Sequence, residues 1–147
     1  MKFDARSLLT LALYVTVNLA LAVCWHLVAF KDVLAEATPF ARAEPIIALG
    51  MAAMALHGVL LIGIYPRFHR PDFPVRSGVL FGSTVGLFLA AGAVWVEVGK
   101  FEFSNGASYL VIETIYEIAS FAVLGVLIAF RHSLTPPTPA AARERTG

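Results

Sequence analysis

The sequence predicts an all-α integral membrane protein: a bundle of four transmembrane helices with both termini in the cytoplasm. Three observations carry this reading. Hydrophobic residues make up 59% of the 147 positions and charged residues only 14%, where soluble globular chains average roughly 45–50% and about 25%. Mean hydropathy is +0.77. The apolar residues fall in four unbroken runs, each long enough for the roughly 20 helical residues that cross a bilayer core. Lysine and arginine crowd into the connections on one side.

The same numbers exclude a disordered chain, a collagen and a disulfide scaffold. Cys24 is the only cysteine, so no internal disulfide and no cysteine-rich metal site can form. A formal net charge of +1 gives no basic excess for nucleic acid. Barrel strands alternate polar and apolar residues over about ten positions. These runs are continuous and twice as long, so helices are expected.

The first span, 7–30, has no Asp, Glu, Lys or Arg, and His26 lies near its end. At helical spacing Ser7, Tyr14, Asn18 and Trp25 share one stripe, with Thr10 at its margin. Polar groups gathered on one stripe turn away from lipid toward other helices. Lys2, Arg6 and Ala20-Leu21-Ala22 imitate a secretion signal, and Leu21–Cys24 imitates an acylation site. The apolar run continues through Phe30, beyond the 7–15 residues typical of a cleaved signal's apolar region, and Val23 is bulky for an acylation site. The segment is therefore expected to remain as a span.

The second span, 45–65, contains His57 and is expected to carry Pro45 in its first turn, where a missing N–H is harmless. Pro66, Pro71 and Pro74 end it and stiffen the following turn. The third span, 77–98, carries Gly78, Gly82, Gly86 and Ala90 at every fourth position, and the same face is expected to aim Glu97 inward. Small residues at this spacing let two helix backbones approach closely. Packing within the bundle is the simpler use of that face; a homo-oligomer or docking to a larger membrane complex is the other.

The fourth span, 106–130, holds Tyr109, Glu113, Tyr116, Glu117 and Ser120 on one face. Glu113 and Glu117 are neighbours, being four apart. In a low dielectric both remain ionised only with a compensating cation or strong donors, so at least one is expected to be protonated or both to hold a cation. Ionisable residues within a span are functional candidates; the alternative is a polar latch. Residues 133–147, rich in Pro and Ala, are expected to form a disordered cytoplasmic tail.

Lys2, Arg6, Arg67, Arg70, Arg76, Arg131, Arg143 and Arg145 fall on one side; Lys31, Arg42 and Lys100 fall on the other. The crowded side is expected to be cytoplasmic, which puts Trp25, Trp95 and Tyr109 near the outer interface. At 1.5 Å per residue Glu113 lies about 10 Å deep, Glu117 about 16 Å and His57 about 18 Å. His26 and Glu97 lie near the outer rim. An outward-facing polar pocket would gather all five, with Tyr116 and Asn18 supplying hydrogen bonds and His57 a floor. A hard divalent cation held by Glu113, Glu117 and His57 is chemically reasonable. No nucleotide, hydrolase or zinc-protease motif is present, and no cofactor is indicated.

Trp25-His26 before a polar outer loop, Tyr65-Pro66-Arg67 after the second span, Phe81-Gly82 early in the third and Trp95 late in it resemble the small four-helix inner-membrane proteins of bacteria grouped as domains of unknown function. The resemblance covers residues 1–132. It implies a four-helix membrane bundle in a bacterial inner membrane and transfers no activity or site. Taken together, the expectations are a small binding or transport-type membrane protein for a cation or polar-headed lipid-like ligand; alternatively an accessory or assembly subunit of a membrane complex; and third an enzyme acting on lipid, for which no nucleophile accompanies the acids.

Overall fold

The computed structural model describes residues 4–37, 42 and 44–134. Residues 135–147 of the expected tail, with Arg143 and Arg145, and Lys2 lie outside the described residues. All regular structure in the described residues is helical.

Helix α1 spans Ala5–Ala22. Asp4 caps it, accepting hydrogen bonds from the Ser7 N–H and hydroxyl at 2.8 Å each. The Ser7 backbone N–H, followed by its hydroxyl, holds the Asp4 carboxyl below the ordinary carboxylate range. Residues Val23–Ala29 continue α1 as a π-helical segment, so the first rod runs 25 residues from Ala5 to Ala29. A short helix α2, Lys31–Ala37, follows. It lies in the connection expected as a polar outer loop, and buries Leu34 and Ala37 while packing against the last helix.

Helix α3 covers Ile47–Ile64 and ends in a 3₁₀ turn, Tyr65–Arg67. Pro45 precedes the helix rather than sitting in its first turn: its carbonyl accepts from the Ile47 N–H at 3.0 Å, and Ile46 occupies the cap. Helix α4, Pro74–Gly92, starts three residues before the expected boundary, because Pro74 can itself serve as a first helical residue. It breaks at Ala93 (φ −108°, ψ −71°) before α5, Val94–Lys100. Helix α6 spans Gly106–Ser133, with the Asn105 side chain accepting from the Ser108 N–H at 3.2 Å.

Four rods, Ala5–Ala29, Ile47–Arg67, Pro74–Lys100 and Gly106–Ser133, are long and apolar enough to cross a membrane. Their outward faces remain greasy: Phe88 is 75% exposed, Val28 73% and Ile47 72%. A water-soluble monomer does not present apolar surface on this scale, whereas acyl chains would cover it.

The tightest pairing is α4 with α6. Gly78, Gly82, Gly86 and Ala90 are all buried, and the surface they meet is α6. A methyl group added at Gly78 would lie 2.7 Å from the Gly125 carbonyl; at Gly82 it would meet the Phe121 carbonyl and at Gly86 the Glu117 carbonyl. Gly125 returns the arrangement from the α6 side, facing Gly78 and Gly82. The small-residue face is thus used for packing against α6 inside the chain. Tyr14, Leu61, Tyr65, Phe81, Phe121, Leu124 and Ile128 fill the interior alongside it.

Contacts at the rod ends fix their directions: the second and last rods run the same way and the first runs opposite to the last. Tyr65, at the end of the second rod, stands beside His132, at the end of α6, with centroids 5.8 Å apart. His26 meets Glu113 at the opposite end.

Candidate functional site

The expected inward stripe of α1 holds: Thr10, Tyr14 and Asn18 are buried. Beyond Asn18 the wider π-helical coil takes over, closed by a hydrogen bond from the Phe30 N–H to the Trp25 carbonyl at 2.9 Å. It brings two consecutive side chains to one partner. The Tyr116 ring lies 5.7 Å from the Trp25 ring and 4.6 Å from the His26 ring, the latter edge-on. In an ordinary α-helix adjacent residues diverge by about 100°. Such π segments recur at functional sites.

His26 is the charge partner of the last helix. Its Nε2 lies 3.1 Å from Glu113 Oε2, and its Nδ1 lies 3.0 Å from the Ala22 carbonyl oxygen. A carbonyl can only accept, so Nδ1 carries a proton. A second proton must then lie between Nε2 and Oε2, either as imidazolium with carboxylate or as imidazole with carboxylic acid. Both arrangements leave the pair with zero net charge.

Glu113 is only 8% exposed, and its other oxygen, Oε1, is buried with no hydrogen-bond partner. Trp25 Nε1 and the Tyr14 hydroxyl are in the same condition. Buried polar atoms are nearly always satisfied in folded proteins; Glu113 Oε1 and Trp25 Nε1 lie at this end of the bundle, while the Tyr14 hydroxyl belongs to its central core. Glu117 is half-buried one turn further along α6, and forms no ion pair of its own among the described residues. Its negative charge, when present, is the one this site does not balance.

Other expected members are placed elsewhere. His57 rests edge-on against Phe121, centroids 5.9 Å apart, and makes no hydrogen bond to either carboxylate. It thus meets α6 one turn beyond Glu117, below the acids rather than bonded to them. No group of three or more His, Cys, Asp or Glu side chains suited to a metal ion occurs among the described residues, which removes the Glu113–Glu117–His57 metal set. Asn18 is buried on the α1 face that leads to His26. Glu97 does not continue the glycine face inward. The break at Ala93 resets the helix phase and Glu97 is exposed, its carboxylate accepting from the Tyr109 hydroxyl at 3.0 Å. Trp95 is half-exposed and donates from Nε1 to Thr114 Oγ1 at 3.0 Å, so it fastens α5 to α6 as well as facing outward.

Sequence reasoning passed over a second group entirely. At the other end, the His69 ring meets the His132 ring at 4.5 Å. The buried Tyr65 hydroxyl lies 3.2 Å from His69 Nδ1 and 2.9 Å from Ser77 Oγ. Ser77 donates to the Pro74 carbonyl at 3.0 Å. The protons therefore run one way, from His69 Nδ1 to Tyr65, Tyr65 to Ser77, and Ser77 to Pro74. Both histidines fall at or just beyond the ends of apolar runs, where a search for intramembrane charges does not look. Their signal was in the sequence: the chain has four histidines, and two follow proline- or arginine-marked span ends.

Comparison of the chain with known protein families, with curated proteins and with solved structures finds no match, so the resemblance to small four-helix inner-membrane proteins rests on its dipeptides and aromatic residues alone.

Proposed function

We propose that this is a small membrane binding or transport-type protein that takes a singly charged organic cation at the His26–Glu113–Glu117 site. The observation that carries the reading is the buried Glu113 carboxyl, with one oxygen on His26 and the other lacking a partner. The His26–Glu113 pair is neutral overall, so an ionised Glu117 leaves the site one negative charge. A single positive charge or a single proton cancels it. Hard divalent ions ask for six or more oxygen ligands, or for several retained waters; two carboxyls do not meet that demand. An alkylammonium asks for a carboxylate and aromatic faces; Tyr116 lies against His26, the partner of Glu113, and Trp25 lies against Tyr116. Because a proton competes for Glu117, cation binding should weaken as pH falls.

The lysine and arginine asymmetry supports both termini being cytoplasmic with this site toward the outer face, and the resemblance of the sequence to small four-helix proteins suggests a bacterial inner membrane. Calorimetric titration of the detergent-solubilised full chain with tetraethylammonium tests the proposal. Glu117→Gln should lower affinity at least about tenfold, and Glu113→Gln should do likewise. Unchanged binding in Glu117→Gln, or no binding by the wild type across pH 6–9, contradicts it. The second reading, a latch, draws on the same His26–Glu113 contact between the first and last rods. It expects Gln to be tolerated at both positions and no cation to bind.

A further inference from the structure

At the Tyr65 end of the bundle a cavity of about 540 Å³ opens between the turn after α3 and the first half of α4. Its rim carries three guanidinium groups, Arg67, Arg70 and Arg76, and its apolar wall includes Phe73, Leu80 and Val85. The three arginines are exposed, and none forms an ion pair with a described carboxylate; Asp72, in the same turn, is the one acid among residues 66–77. His69 also lines the cavity. Its Nδ1 is committed to the Tyr65 chain, which leaves Nε2 as the atom with capacity to spare.

The shape matters as much as the charge. From Pro74, where the third rod begins, the wall descends α4 through Leu80 to Val85. At 1.5 Å per residue that is about 16 Å, the distance from a headgroup to the middle of a bilayer. A free phosphate would need the rim alone, and an apolar ligand would need the wall alone. Only an amphiphile with an anionic head uses both. Guanidinium groups match phosphate oxygens in pairs, and basic recesses between transmembrane helices are suited to anionic lipid heads.

We propose that this cavity seats one anionic phospholipid, its phosphate among Arg67, Arg70 and Arg76 and one acyl chain along Leu80 and Val85. The site lies at the opposite end from the acids and rests only on the rods spanning a membrane, so either proposal can fail without the other.

Native mass spectrometry of the full chain in mild detergent tests it, with phosphatidylglycerol and phosphatidylcholine of identical chains added in turn. The wild type should retain phosphatidylglycerol in preference. Arg67→Gln, Arg70→Gln and Arg76→Gln should each weaken retention about fivefold, while Arg6→Gln, a charge at the same end outside the cavity, should not. Thr84→Trp, which fills the apolar trench and keeps every arginine, should also lower retention, so the test does not depend on the arginine variants alone. Equal retention of the two lipids overturns the proposal. So does indifference to the arginine changes, or to Thr84→Trp. Displacement of bound lipid by glycerol 3-phosphate at similar concentration would assign the rim to free phosphate and would likewise overturn it.

Discussion

The proton between His26 Nε2 and Glu113 Oε2 is the smallest feature on which the site depends. Removing His26 leaves a nearly buried carboxyl with two unsatisfied oxygens; removing the acid as well relieves that penalty. A double-mutant cycle with His26→Gln and Glu113→Gln, measured by unfolding in mixed micelles, should therefore show a coupling of about 1–3 kcal/mol. Additive effects would mean that the two groups do not meet. Asp4 allows a separate check at the chain's first described turn. Its carboxyl titrates below the ordinary value because the Ser7 N–H binds the charged form. A depressed folded value means that the cap's contribution is present above the unfolded value and is lost as pH falls through the folded one. Exchange of the Ser7 amide should therefore accelerate only below about pH 4 in the wild type. Asp4→Asn should show no such onset, and Asp4→Ala should exchange fast throughout. Among individual residues, the Glu113–Glu117 neighbourhood was legible because helical spacing is rigid. His26 as the partner was not, since depth alone placed it near the rim and Glu113 about 10 Å below.

At the scale of elements, the glycine face of α4 joins α6 backbone to backbone. Gly82→Ala would force its methyl against the Phe121 carbonyl, and neither backbone can turn aside. The expected cost is about 1–3 kcal/mol of overpacking, read as a lower denaturation midpoint by circular dichroism. Gly50→Ala in α3, where an added methyl meets nothing within 4 Å, should change stability by no more than about 0.5 kcal/mol. Equal effects at both positions would refute the close approach. This face was legible in the sequence, because three glycines and an alanine at every fourth position have few other uses. Gly125 as their counterpart was not marked by any repeat. The π-helical segment was also hidden, since it has no proline or glycine; the break at Ala93 had Gly92 beside it, but a glycine in a small-residue helix reads first as packing. Each moved a predicted residue: the first carried His26 onto Tyr116 and Glu113, and the second carried Glu97 off the inward face.

For the whole molecule, the existence and order of the four apolar rods were readable from hydropathy alone, with ends displaced by up to three residues, because a bilayer sets their approximate length. Their partners across the bundle were not, since hydropathy says nothing of which helix faces which. The expected sidedness is open to a direct check. In a Cys24→Ser background, Lys100→Cys should react with an impermeant maleimide in intact spheroplasts, and Arg70→Cys only after permeabilisation. The reverse pattern would invert the bundle and face the acids toward the cytoplasm.

The arrangement that all of this requires is contact between His26 on the first rod and Glu113 on the last. Magic-angle-spinning NMR of the full chain in lipid bilayers, with ¹⁵N histidine and ¹³C glutamate, measures it through the dipolar coupling of His26 Nε2 to the Glu113 carboxyl carbon. A coupling equivalent to roughly 3–4 Å, beside a protonated Nδ1, is predicted for groups in hydrogen-bond contact. The absence of that coupling in the folded protein would contradict the account.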